Sequence, residues 1–170
     1  ILLLTMRKLF VLLLFIPLIS FSQEDIERYK VYDTENIYTS ILLDTATGQT
    51  WQLQIGIKDD SSRMRTVLSD TEYAYTVEEL TEDWDYSMEY WEETYNSQPD
   101  SIVSSEDKAL YKPPTLKQKL EYMPIAQNGR FKLYPTENMY NFIMVDVIDG
   151  RTWQVQWNID YDKRLCIRIY

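Results

Sequence analysis

The chain has 170 residues, with 27 Asp and Glu against 17 Lys and Arg, a single Cys and no His. The lack of histidine excludes a Ser–His–Asp triad, a Cys–His nucleophile, an imidazole general base and a His-ligated zinc. The acidic balance and the absence of a basic stripe disfavour nucleic-acid binding, and we expect neither a cofactor nor a metal.

The first predicted element is a secretory signal peptide over residues 1–22. A basic start is followed by an almost unbroken apolar run over residues 9–19, and small residues precede a cleavage point before Gln23. Residues 1–5 are interpreted as a misassigned start. A retained membrane anchor is the alternative, but the run is shorter than the roughly 20 residues that span a bilayer. We therefore expect export of residues 23–170, as one compact domain, to the periplasm or the cell exterior.

Two blocks of thirty residues, 28–57 and 130–159, are copies of each other, because 15 of their 30 aligned positions are identical without a gap. Chance does not produce this match, so the chain contains a duplicated unit. The predicted organisation is repeat 1 (28–69), an acidic insert (70–128) and repeat 2 (129–170).

Each copy predicts a four-stranded antiparallel meander. A Thr-Glu-Asn turn separates the first two strands, and a hairpin containing Gly48 or Gly150 separates the next two. The third strand alternates strictly, and a polar loop, one residue longer in repeat 1, precedes the fourth. Neither sheet can bury its apolar face alone. We therefore predict a mainly β (α+β) fold, in which two meanders pack as a pseudo-two-fold sandwich or a barrel with one amphipathic helix inserted between them.

Matching residues of the two copies are the first candidates for chemistry. Asp44 and Asp146 precede the hairpins and are either the carboxylate pair of a hydrolase or caps of their own hairpins, which the turn chemistry of Asp favours. Trp51 and Trp153 are interpreted as core anchors rather than sugar-stacking platforms, because each shares a face with aliphatic residues.

A row of amide side chains alternates with these tryptophans and forms a candidate binding surface. Its members are Gln52, Gln54, Gln154, Gln156 and Asn158. Amides on a rigid sheet suit recognition, but they are equally typical of a solvated sheet face, and the sequence leaves both interpretations open.

The insert predicts an acidic amphipathic helix. Residues 70–107 contain 13 acidic and no basic residues. A capping box from Thr76 to Glu79 and an apolar stripe from Val77 to Tyr95 predict a helix that ends near Asn96. We expect this stripe to pack on one of the sheets and residues 97–107 to form a loop.

The acidic side of this helix is the second candidate binding surface. Its members are Tyr86, Tyr90, Glu89 and Glu93. A basic partner or a cation would suit it, but the D-x-D-x-D-G type of calcium loop is missing from the sequence. A solvated helix face is the alternative interpretation.

The single cysteine, Cys166, lies in an alternating run close to the C-terminus. A single cysteine cannot form an internal disulfide. We interpret it as a small strand residue rather than a nucleophile or a partner in an intermolecular disulfide.

The shared string Arg-Tyr/Phe-Lys-x-Tyr-x-Thr-Glu-Asn-x-Tyr, followed by Asp-x-x-x-Gly-x-Thr-Trp-Gln, resembles that of uncharacterised small secreted or phage-associated bacterial proteins of the Bacteroides type. The resemblance covers both repeats and misses the insert. It implies export and a β-rich unit, and it carries no active site across.

The leading functional hypothesis is an exported, non-enzymatic binding module with a protein or glycan partner in the cell envelope. The first alternative is a carboxylate-based hydrolase that uses Asp44 and Asp146. The second is an inhibitor or immunity-like protein that acts through the acidic insert. No stable membrane span is expected after signal cleavage, and the oligomeric state stays open.

Overall fold

The computed structural model describes residues 26–56 and 63–170, which form two antiparallel sheets with a helical insert between them. The first sheet contains β1 (Tyr29–Asp33), β2 (Thr39–Asp44), β3 (Thr50–Gln54) and β4 (Met64–Ser69). The second contains β5 (Phe131–Pro135), β6 (Asn141–Asp146), β7 (Thr152–Gln156) and β8 (Leu165–Ile169). In each sheet the strands are neighbours in chain order, so the predicted fold of two repeated four-stranded meanders is confirmed.

In the described part of the chain the two sheets remain separate and do not close into a barrel. Of the two predicted arrangements, the sandwich is therefore the one observed. Gln54 lies opposite Met64 and Gln156 lies opposite Leu165, which confirms the extra residue of the first copy between the third and fourth strands. The predicted signal peptide, residues 1–22, lies outside the described residues.

The Thr-Glu-Asn turns have the same hydrogen bonds in both copies. Asn36 N–H donates to Thr34 Oγ1 at 3.1 Å, and Tyr38 N–H donates to Asn36 Oδ1 at 2.9 Å. Thr136 and Asn138 make the equivalent bonds in the second copy at 3.2 and 3.0 Å. Short polar side chains that bond the backbone two residues away stabilise such turns, so the identity of these positions follows from the turn itself.

The insert contains more helix than the sequence predicted. Its elements in the described chain are α1 (Val77–Trp91), a π-helical turn (Glu92–Asn96), α2 (Ser105–Leu110) and α3 (Leu116–Tyr122). The capping box of α1 is present, and residues 97–104 form a loop as predicted, but a second helix begins at Ser105 and a third follows, where the sequence predicted one helix. Ser104 caps α2, and Thr115 with Gln118 forms a second capping box on α3, and these short starts were missed because no long apolar stripe follows them.

The apolar stripe of α1 packs within the insert rather than on a sheet. The helix lies against α3, and Leu80 and Trp91 are buried. The indole N–H groups of Trp84 and Trp91 donate to the carbonyl oxygens of Pro114 and Lys108 at 2.7 and 2.9 Å. The segment from α2 to α3 therefore supplies the partner surface that we had expected from a sheet.

The two copies turn opposite faces of their sheets toward the core. We call the side that carries Trp51 and Trp153 the tryptophan face, and the side that carries Gln52 and Gln154 the glutamine face. In the first sheet the glutamine face lies inside, with Gln52 only 2% exposed. In the second sheet the tryptophan face lies inside, with Trp153 only 3% exposed.

The core between the sheets therefore joins two different faces. The first sheet contributes Ile41, Leu43 and Leu68. The second sheet contributes Phe131, Leu133, Phe142, Met144, Trp153 and Val155. A two-fold axis would bring equivalent faces together, so this stacked arrangement differs from the pseudo-two-fold relation expected from the duplication.

Candidate interaction surfaces

Asp44 and Asp146 each serve the hairpin that follows them. Asp44 Oδ1 accepts from the N–H of Ala46 at 2.9 Å, and Asp146 Oδ1 accepts from the N–H of Ile148 at 3.0 Å. Both carboxylates are completely buried. The hairpin interpretation is confirmed.

An arginine holds the second oxygen of each carboxylate, and sequence reasoning missed both. Arg28 Nε donates to Asp44 Oδ2 at 3.0 Å, and Arg130 Nε donates to Asp146 Oδ2 at 2.9 Å. The available signal was their identity in the two copies, sixteen residues before each Asp. Antiparallel pairing across the first two strands brings these positions together.

The arginines around Asp146 also fasten the insert to the second sheet. Arg130 Nη1 donates to the carbonyl of Ile125 at 2.7 Å, and Arg151 Nη2 donates to the carbonyl of Tyr73 at 3.1 Å. Burial acts to raise the pKa of Asp146, but hydrogen bonds from Arg130, the backbone N–H of Ile148 and Arg151 outweigh it and hold the pKa below its usual value. This cluster is a charged anchor at the base of the insert.

The predicted amide row is divided between the inside and the outside of the molecule. Gln52 lies in the core, and Thr39 Oγ1 donates to Gln54 Oε1 at 3.1 Å on the same face. On the outside, Gln154 Nε2 donates to Asn141 Oδ1 at 2.9 Å and Gln156 Nε2 donates to the carbonyl of Lys163 at 2.7 Å.

Asn158 follows β7, and its side chain accepts from the N–H of Asp160 at 3.0 Å, which makes it a turn residue. The five amides therefore do not form one continuous surface.

The acidic candidates do share one surface. Tyr86, Glu89, Tyr90 and Glu93 are all exposed, on α1 and the π-helical turn that continues it. Their spacing of three and four residues places them on one side of the helix. Asp83 belongs elsewhere, because it pairs with Lys119 of α3.

The outward tryptophan face of the first sheet is a large apolar surface that sequence reasoning did not single out. Val31, Leu42, Trp51 and Val67 lie directly opposite one another across the four strands. Val31 is 53% and Val67 46% exposed, and Leu42 and Trp51 are partly exposed. The missed signal was the apolar run of β2, which has hydrophobic residues on both sides of the sheet.

The outward glutamine face of the second sheet is also largely apolar. Tyr134, Ile143, Gln154 and Ile167 form the corresponding row across β5 to β8. Tyr134 and Ile167 are exposed, and Ile143 is partly exposed. An outer face of an antiparallel sheet is ordinarily polar, and contiguous apolar patches on a protein surface mark interaction sites.

Among the described residues, two of the larger open grooves lie at the joins between parts of the molecule. One, of about 450 Å³, lies where β1 meets β5 and is lined by residues that include Lys30 and Lys132. The other, of about 580 Å³, lies between α3 and the hairpin after β6. Neither is lined by Asp44 or Asp146, so these grooves give the hydrolase hypothesis no support.

Cys166 lies on β8 with its sulfur 3.4 Å from the hydroxyl of Tyr73. Burial raises the pKa of this thiol, although hydrogen bonds from Tyr73 and Ser69 act in the opposite direction. A buried thiol with a raised pKa is a poor nucleophile, so its position fits the interpretation as a small strand residue.

In residues 26–56 and 63–170, no group of three His, Cys, Asp or Glu side chains is placed to hold a metal ion. The same part of the chain has no helix with the length and apolar character to cross a membrane. No protein-family model, curated protein or solved structure matches this chain.

Proposed function

We propose that this chain is an exported, non-enzymatic interaction module that binds a protein partner through its outward sheet faces. The observation that carries the proposal is the row Val31, Leu42, Trp51 and Val67, which continues across all four strands of the first sheet and is open to solvent. Burial of apolar side chains is the main source of protein association.

The character of the exposed residues also supports a protein partner. Tryptophan, tyrosine and arginine are enriched where proteins bind each other. The outer face of the first sheet offers Tyr29 and Trp51, and the Arg65 guanidinium carbon lies 5.6 Å from the centre of the Trp51 ring. A rigid sheet that already holds these side chains loses little conformational entropy on binding.

The two alternative functions receive less support from the geometry. The carboxylates of Asp44 and Asp146 are buried and occupied by hairpin amides and arginines, so a hydrolase would need to open both hairpins. The inhibitor hypothesis rests on the acidic side of α1 alone and stays a prediction.

Photo-crosslinking in the producing cells tests the proposal. A benzoylphenylalanine residue at Val31 or Val67 samples the outward tryptophan face, and the same residue at Ile102 or Leu110 samples positions on the insert that are even more exposed. We expect discrete protein adducts from the first pair and none from the second. Adduct yields that are the same at all four positions would contradict the proposal.

A further inference from the structure

The interface between the sheets leaves one face of each kind unpaired. Inside the molecule, the glutamine face of the first sheet meets the tryptophan face of the second. The two outward faces are therefore a tryptophan face, on the first sheet, and a glutamine face, on the second. An interface that joins two different surfaces leaves one surface of each kind free, so further units can add until they close into a ring or form an open filament.

The correspondence extends along complete rows of residues. The inner pair of rows is Tyr32, Ile41, Gln52 and Thr66 with Leu133, Met144, Trp153 and Arg168. The outer rows contain the residues at the same positions of the repeat. The outward glutamine face has Tyr134, Ile143, Gln154 and Ile167. The outward tryptophan face has Val31, Leu42, Trp51 and Val67. The inner contact is thus a template for contact between the two outer rows.

Each tryptophan has an arginine beside it, although the two arginines are not at equivalent positions, because Arg168 corresponds to Val67 and Arg65 corresponds to Cys166. Inside, the Arg168 guanidinium lies 4.9 Å from the Trp153 ring centre, and outside, Arg65 lies 5.6 Å from the Trp51 ring centre. Lys30 and Lys132 hold equivalent positions on the two glutamine faces, and both are exposed. The lysines are therefore matched, whereas the outward tryptophan face also has Asp33 and Arg65, whose equivalents in the second copy are Pro135 and Cys166.

We propose that the outward glutamine face of one copy stacks on the outward tryptophan face of the next, so that copies of this chain assemble head to tail. This inference rests on the proposed function and names its partner, a second copy of the chain. Continuity with the inner interface favours this occupant over a two-fold dimer, because the chain contains no example of two like faces in contact among its described residues.

Three double variants of the full chain, purified from producing cells, test the assembly. Val31→Glu with Val67→Glu places charge on the outward tryptophan face, and Tyr134→Glu with Ile167→Glu places it on the outward glutamine face. Ile102→Glu with Leu110→Glu is the matched control on the insert. The six positions are exposed in the isolated chain, so each variant is expected to fold, which circular dichroism checks.

Sedimentation velocity then measures association. We expect the wild type and the control to form a concentration-dependent series of oligomers, and each face variant alone to be monomeric, with association weakened more than about tenfold. A mixture of the two face variants retains one intact face of each kind and is expected to form a one-to-one dimer that does not grow. Formation of this dimer also demonstrates that both variants are folded.

Three outcomes would overturn the inference. A wild type that stays monomeric up to its solubility limit excludes the assembly. A dimer lost in only one face variant, with no complementation in the mixture, indicates a two-fold contact between like faces. Crosslinks from Val31 or Val67 to a different protein, or to residues 1–25 of the same chain, identify another occupant, and the first of these leaves the proposed function intact.

Discussion

Trp51 and Trp153 hold the same position in the two copies of the repeat, but Trp153 lies in the core and Trp51 lies on the surface. Trp153 is buried in the core, where its ring centre lies 4.6 Å from that of Tyr73. Trp51 lies on the outer face, partly exposed, beside Arg65. The same side chain thus has a packing role in one copy and faces outward in the other.

This difference predicts unequal effects of truncation. Trp153→Ala leaves a large cavity and is expected to lower the free energy of unfolding by about 3–5 kcal/mol. Trp51→Ala removes a partly exposed side chain and should cost about 1 kcal/mol. Urea denaturation at low protein concentration measures both values. Equal losses would show that the copies do not bury opposite faces.

The two hairpin glycines form a second matched pair. Gly48 and Gly150 have φ of +85° and +78°, so any side chain at either position is strained. A Cβ at Gly48 would lie 2.8 Å from the Tyr73 ring and 3.1 Å from the Phe131 ring, whereas a Cβ at Gly150 meets no atom within 4 Å.

We therefore expect Gly150→Ala to cost about 1–2 kcal/mol, the general penalty for a left-handed residue. Gly48→Ala should cost at least about 1 kcal/mol more, because overpacking against the partly buried Tyr73 ring and the buried Phe131 ring adds to the strain. Thermal or urea unfolding of the two variants measures their free energies of unfolding. A larger loss of stability for Gly150→Ala than for Gly48→Ala would contradict the packing of the Gly48 hairpin against Phe131 of the second sheet.

The Asp–Arg pairs predict a third difference. The side chain of Arg130 is 6% exposed and that of Arg28 is 49% exposed. Asp146→Asn keeps the hairpin acceptor but leaves a buried guanidinium without its main counterion, which should cost about 3 kcal/mol. Asp44→Asn should cost about 1 kcal/mol, because Arg28 can be hydrated. Chemical denaturation near neutral pH measures both losses.

Two outcomes of this comparison are informative. A loss at Asp146 no larger than the loss at Asp44 would mean that the Arg130 cluster is not an anchor. If the wild type hydrolyses a glycan substrate and both Asp→Asn variants do not, the result would instead support the hydrolase hypothesis.

Tyr73 predicts a loss of stability at alkaline pH. Burial, with the neighbouring Cys166, raises the pKa of Tyr73 to about 12, although Ser69 acts in the opposite direction. A group whose pKa is higher in the folded state stabilises the fold below its unfolded pKa, and this contribution is lost as pH rises through the folded pKa. The free energy of unfolding should therefore fall between about pH 10 and pH 12.

The variant Tyr73→Phe isolates this effect. It should have a lower free energy of unfolding than the wild type at neutral pH, because the core loses the hydroxyl contact with Ser69 at 3.0 Å. This gap in free energy between the variant and the wild type should narrow as pH rises. Tyr86→Phe, at an exposed position, controls for the loss of one hydroxyl group. A gap between Tyr73→Phe and the wild type that stays constant across this pH range would rule out the titration of Tyr73 as its cause.

Local structure could be predicted from the sequence because it depends on near neighbours. The Thr-Glu-Asn turns, the hairpins at Gly48 and Gly150, and the capping box at Thr76 each involve residues within about five positions of one another. The pairing of Arg28 with Asp44 was missed, although a two-strand antiparallel register with a known turn brings them together. The helices α2 and α3 were missed because they are short and depend on packing against α1.

The choice of the buried face was decided only by the tertiary structure. The second strands of both copies, β2 and β6, have apolar side chains on both sides of the sheet, so alternation cannot select the side that turns inward. The sequence by itself determined two antiparallel meanders, their turns and an acidic helix between them, because these follow from period and turn chemistry. Burying either face of a sheet removes apolar side chains from water, so the hydrophobic effect alone does not select the buried face. The contact between the two sheets makes that selection and thereby decides which face of each copy lies outside.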